Sequence, residues 1–208
     1  PYHEFLTKPM ANIVGAKDSE VIIMNTLSVN LHLMLVSFYR PTSKRRKILI
    51  EADAFPSDLY AVQSQLKFHG FDIEKDLVLW KPRDYHQYLL SDFDLLIDKH
   101  HNELALVLIG NTNYYTGQFF NMKHICKVSH QYDIKVGFDL AHGVGNIQPN
   151  LHDIGVDFAV WCTYKYLNSG PGSLGGCFIH EKHHKDKNIP SHALFFLIRL
   201  ERSSAQKL

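Results

Sequence analysis

The sequence predicts an α/β fold: a mostly parallel sheet flanked by helices. Three observations carry this. Short apolar runs recur along the chain, each too brief for a helix and too uniform for a strand with one wet face. Stretches of helical length separate most of them, the alternation expected of βαβ units. Several runs end directly on polar or aromatic residues: Phe55, Gly110-Asn111-Thr112, Asp139 and Lys165. In open α/β sheets ligands bind outside the carboxyl ends of the strands, so these residues are expected to share one site.

The elements follow in order. Residues 1–16 read as the end of a helix, and 21–24 as a short apolar run. Ser28 is the expected N-cap of a helix over 29–39. Residues 41–47 form a basic turn, read as solvated. Residues 48–50 are a buried strand, followed by a helix over 57–68 that stops at His69-Gly70, a C-terminal glycine signal. Residues 77–80 are the next strand, closed by Pro82, and 92–101 a helix. Residues 104–109 form a continuous apolar strand. A helix over 118–132, a strand over 135–139 and strands over 156–162 and 176–180 complete the set. Beyond about residue 184 the character changes. The apolar run 193–198 fits helix or strand equally and leads to no further sheet element.

With 208 residues, 45% of them hydrophobic, the chain has enough apolar mass for one large domain or a piece of a larger protein. The net charge of +1 gives no electrostatic case for nucleic acid or membrane binding. No apolar run reaches the ~18 residues of a spanning helix. Cys126, Cys162 and Cys177 form no CxxC pair, which suggests reduced thiols and a cytoplasmic setting. The N-terminal residues lack a methionine and the layout of a signal peptide, so the chain is expected to begin within a longer protein. The 14 histidines are scattered. His100-His101 and His183-His184 read as solvated, and no metal site is expected.

The chemistry is expected at Lys165, in Trp161-Cys162-Thr163-Tyr164-Lys165-Tyr166-Leu167-Asn168. A lysine after a buried strand is poorly solvated, so its amine can shed a proton and attack a carbonyl. Asp139 ends an earlier strand, 165 − 139 = 26 residues upstream. A strand-end acid followed by a strand-end lysine is the constellation of a pyridoxal 5'-phosphate site. The lysine forms a Schiff base, and the acid pairs with the pyridinium nitrogen. The alternative for Asp139 is a turn-capping acid.

At these residues the sequence resembles kynureninase, a fold type I pyridoxal phosphate enzyme. The matching stretches are Asn25-Thr26-Leu27-Ser28-Val29-Asn30-Leu31-His32, Ala54-Phe55-Pro56-Ser57-Asp58, Tyr115-Thr116-Gly117-Gln118, the run from Gly137 to His142, and the Lys165 segment. The resemblance implies the aminotransferase-like large domain of these enzymes, truncated. Residues 1–183 would form an incomplete cofactor-binding large domain and 184–208 a divergent tail, with the small domain absent. Lys165 would hold the cofactor and shuttle protons, Asp139 would keep the ring nitrogen protonated, and His142 would contact the cofactor. Leu27, Ser28 and Tyr164 would bind the phosphate. Phe55 would stack on the ring, beside Pro56, Ser57 and the second acid Asp58. Bland alternatives stand beside these roles: a core histidine at His142, an ordinary cap at Ser28, a core phenylalanine at Phe55.

The implied reaction is hydrolysis of kynurenine or 3-hydroxykynurenine to alanine and anthranilate or 3-hydroxyanthranilate, a step of tryptophan degradation toward NAD, carried out by a homodimer. Gly110 departs from the pattern, because the family has a serine there; Asn111 or Thr112 could replace the lost hydroxyl. Two other readings remain: a different fold type I enzyme, such as a cysteine desulfurase or aminotransferase, and a non-catalytic kynureninase fragment.

Overall fold

A computed structural model describes residues 2–186. The helices are α1 (Tyr2–Val14), α2 (Leu27–Phe38), α3 (Pro56–Phe68), α4 (Ile73–Asp76), α5 (Leu90–His100), α6 (Met122–His130) and α7 (Leu151–Ile154). The strands are β1 (Val21–Ile23), β2 (Lys47–Glu51), β3 (Leu77–Trp80), β4 (Leu104–Gly110), β5 (Lys135–Asp139), β6 (Phe158–Trp161) and β7 (Gly176–Ile179). The apolar run at 193–198 lies outside the described residues, as does most of the expected tail.

The strands form one sheet in the order β1-β7-β6-β5-β4-β2-β3. From β6 to β3 every neighbouring pair is parallel, and β7 is antiparallel to both β6 and β1. The chain leaves β2 outward to β3, then returns to place β4 on the other side of β2. That reversal is a topological switch point, where such sheets open a crevice for a ligand.

Alternation along the strands sorts the core. Leu49, Val107, Ile109 and Phe138 pack with residues of α1, α5 and α6 on one face. Ile48, Ile50, Leu106 and Leu108 pack with residues of α2 and α3 on the other. Both faces are therefore dry, which is why the strands read as continuous apolar runs.

Several expected boundaries move, two of them for a visible local reason. Helix α2 begins at Leu27, not Val29, because Thr26 is the cap: its hydroxyl accepts the Val29 N–H at 3.3 Å. Asn25 turns the chain into that cap with φ 51°, a conformation asparagine tolerates well. Helix α5 begins at Leu90, two residues before Asp92. Helix α6 spans only Met122–His130, because Gln118 is tied elsewhere. Its amide accepts from Tyr88 N at 2.9 Å and donates to Tyr88 O at 2.7 Å. Asn121 then caps the helix by accepting the His124 N–H at 3.1 Å.

The histidine reading needs correction. His183 is buried, and its Nε2 lies 2.7 Å from the carboxylate of Asp157. His100 is held by Glu103 at 3.0 Å. Asp157, at the mouth of β6, also meets His130 Nε2 at 2.8 Å and Lys182 at 2.9 Å, and accepts the Val136 N–H at 2.8 Å. Burial opposes its ionisation, but the hydrogen bonds from His130 and His183 and the charge of Lys182 prevail, and its carboxyl sits well below the usual range. A group so depressed stabilises the fold above its unfolded value of about 3.9, and that contribution is lost as pH falls toward the folded value. The melting temperature is thus expected to drop steeply below about pH 4. Asp157→Asn should cost ~3–5 kcal/mol at neutral pH and flatten that acid limb. An unchanged acid limb in the variant would remove Asp157 from this role.

Candidate cofactor site

The carboxyl ends of β2, β4 and β5 and the loop after β6 enclose a cavity of about 420 Å³. It gathers nearly all of the expected site. Leu27 and Ser28 reach it from the first turn of α2, and Phe55, Ser57 and Asp58 from the start of α3. Gly110 and Asp139 reach it from strand ends, and His142, Tyr164 and Lys165 from the two loops beyond. Pro56 does not line it. It occupies the first position of α3, where a missing N–H costs nothing and a fixed φ starts the helix.

Lys165 stands four residues past the end of β6, in a loop, and is partly exposed rather than buried. That loop is anchored on both sides. Thr163 donates to the Leu174 carbonyl at 2.6 Å and accepts from Ser169 at 2.6 Å. Behind it lies Gly145, with φ 82°, where a Cβ would come within 2.9 Å of the Tyr166 carbonyl. The Nζ so placed lies 3.1 Å from His142 Nε2 and 5.8 Å from the centre of the Phe55 ring. Burial lowers the pKa of His142, and the positive charge of Lys165 lowers it further. The imidazole is therefore neutral at neutral pH and can accept a hydrogen bond from Nζ.

Asp139 is buried, and its Oδ1 accepts the Ala141 N–H at 2.6 Å. It caps the turn and faces the cavity at once, so the two readings of this residue combine. Asp58 lies beside it; burial, then the Asp139 charge and a hydrogen bond between the two, raise its pKa and favour a shared proton. Phe55 is 48% exposed and so is not a core residue. Tyr114 meets its ring edge-on at 5.2 Å, and Lys165 Nζ stands over the ring from the cavity side.

The residues suit a flat, anionic, carbonyl-bearing group such as pyridoxal phosphate. Thr26 takes the Val29 and Asn30 N–H groups. That leaves the Leu27 and Ser28 N–H groups at the head of α2, beside the Ser28 hydroxyl, suited to an anion. Phe55 offers a stacking face, Asp139 an acceptor for a protonated ring nitrogen, and Lys165 an amine. Three lining residues escaped the sequence reading: Glu51, Tyr114 and Ala141. Of the two candidates to replace a hydroxyl at 110, Thr112 lines the cavity and Asn111 is buried away from it. Glu51 could have been suspected, as a charged residue closing an apolar strand.

Glu20, His152 and His180 converge elsewhere, among the described residues. Glu20 already accepts the Lys17 and Glu181 N–H groups, and His180 Nδ1 accepts the Lys182 N–H. The cluster is thus closed by its own hydrogen bonds. No helix of the described residues is long and apolar enough to cross a membrane.

The Aminotransferase class-V family matches residues 3–188. Kynureninase of Myxococcus xanthus is 56% identical over 191 residues, 91% of this chain and 45% of that protein. The Nematostella vectensis kynureninase is 55% identical, with 93% and 42% covered, and that of Mus musculus 51% identical, with 86% and 39% covered. The chain thus spans less than half the length of these relatives. Among solved structures, the apo cysteine desulfurase from Thermococcus onnurineus NA1 matches with a TM-score of 0.75 at 22% identity, covering 87% of this chain and 43% of that one. That likeness concerns the fold.

Proposed function

Since the chain belongs to the class-V aminotransferase family, we propose that it is the cofactor-binding part of a kynureninase, which hydrolyses kynurenine or 3-hydroxykynurenine to alanine and the matching anthranilate. The carrying observation is the pairing of Lys165 with His142 at 3.1 Å in a cavity that Asp139 closes at a strand end. When bound, pyridoxal phosphate supplies an electron sink for the pair released as the substrate's carbon–carbon bond breaks.

The chain's own residues do the rest. Lys165 Nζ holds the cofactor and, when free, moves protons at the substrate carbon, with neutral His142 as acceptor beside it. Asp139 keeps the ring nitrogen protonated. Phe55 fixes the plane of the ring, and Ser28, Tyr164 and the amides of α2 hold the phosphate. We place the protein in the cytoplasm, as a homodimer in its full-length form, with residues 1–183 as part of its large domain. A desulfurase reading lacks a nucleophile among the described residues: Cys126, Cys162 and Cys177 are all buried, and burial pushes each thiol up.

The test is turnover of both kynurenines with added pyridoxal phosphate, by these 208 residues and by the full-length protein, beside the Myxococcus xanthus relative. The full-length protein is expected to be active. The 208 residues alone are expected to bind cofactor weakly and to turn over little, because Phe55 and Tyr164 stand 48% and 50% exposed and the site is open on that side. Misplaced reacting groups lose rate steeply. Robust turnover by the short chain would overturn the second expectation; inactivity of the full-length protein on both substrates would overturn the proposed function.

A further inference from the structure

Glu51 is the last residue of β2, 4% exposed, and faces the cavity across the switch point from Gly110. Its Oε1 accepts the Gly110 N–H at 2.9 Å. Its Oε2 is buried and has no hydrogen-bond partner in the protein. An unsatisfied buried polar atom is costly, and a native structure keeps one where something else completes it. The room for this carboxyl comes from Gly110: a Cβ there would stand 2.8 Å from Oε1. The residue that departs from the family pattern is thus the one that lets Glu51 lie against β4.

We propose that Glu51 is a further ligand-binding residue of this pocket, a neutral acid whose Oε2–H donates to an acceptor on the ligand seated against Asp139. On the proposed function above, on which this inference rests, that ligand is pyridoxal phosphate. Burial is the chief reason the proton stays on; hydrogen bonds to backbone N–H groups oppose it, and the charges of Asp139 and Asp53 add to it, lifting the pKa to about 8. Asp58 on α3 and Tyr88 before α5 are electrostatically coupled to the same carboxyl, and Lys165 and His142 line the same cavity. Two neutral acids, Glu51 and Asp58, then flank Asp139 and leave it to pair with the ring nitrogen.

The experiment measures the dissociation constant for pyridoxal phosphate in the full-length protein, from neutral pH to well above the Glu51 value of about 8. Glu51→Ala should weaken binding about tenfold or more at neutral pH, and Glu51→Gln, which keeps a donor, should recover most of that loss. Relative to Glu51→Gln, the unaltered protein should lose affinity as pH rises through 8, because only its donor ionises. Gly110→Ala should displace the carboxyl without deleting it and weaken binding similarly, with the apo melting temperature preserved. It also carries the test if Glu51→Ala does not fold. Unchanged affinity in Gly110→Ala and Glu51→Ala, or the same alkaline fall in Glu51→Gln, would overturn the inference. An unaltered protein that binds no pyridoxal phosphate would overturn the proposed function itself, a distinguishable failure.

Discussion

Asp139→Ala is expected to weaken pyridoxal phosphate binding by about two to three orders of magnitude. The carboxylate sits at the end of β5, 8% exposed, with Oδ1 held by the Ala141 N–H at 2.6 Å. Its orientation is set before any ligand arrives. Removing one partner of a buried ion pair typically costs ~3–5 kcal/mol, because the other charge is left without compensation. Each 1.4 kcal/mol is about tenfold in affinity. The bound spectrum should change as well, since an unprotonated ring withdraws electrons less. Asp139→Asn keeps the shape and the Ala141 contact but not the charge, and should lose nearly as much. Loss in both variants, with the apo melting temperature unchanged, marks the charge as the cause. Unchanged affinity and spectrum in Asp139→Ala would remove the residue from the site.

Lys165→Ala is expected to reduce turnover by the full-length protein by about a thousandfold or more, since it removes both the covalent anchor and the proton carrier. Cofactor affinity should fall less than in Asp139→Ala, because the phosphate contacts of α2 and the stacking face of Phe55 remain. The fold should be unaffected. Lys165 is partly exposed in an anchored loop, and Thr163, Ser169 and Leu174 hold that loop without it. Residual turnover near that of the unaltered protein would show that another group carries the protons.

Much of this architecture is legible in the sequence because the central strands are buried on both faces. Leu104–Gly110 is a nearly unbroken apolar run for that reason, and the residue types that follow such runs point to the cavity. Asp139, His142 and Lys165 are legible as a candidate site because the acid, the imidazole and the amine occur together after two strands that pair in the sheet, although each alone has ordinary structural uses there. Boundaries are less legible where a side chain is recruited from afar. Gln118 looks helical by periodicity but is tied to Tyr88, and Ser28 looks like a cap although Thr26 is one. His183 reads as a loop residue because its partner, Asp157, is 26 positions away. Glu51 is the least legible of all. A carboxyl after a strand resembles any turn acid, and its meaning arises only when β4 is laid beside β2 and Gly110 donates to it across the switch point.

The most direct test of the central claim is chemical capture at one lysine. The full-length protein is loaded with pyridoxal phosphate, reduced with borohydride, digested and mapped. The cofactor mass is expected on the peptide carrying Tyr164-Lys165-Tyr166, with Asp139→Ala showing little label at the same cofactor concentration. Label on a different lysine, with Lys165 unmodified, would contradict the account.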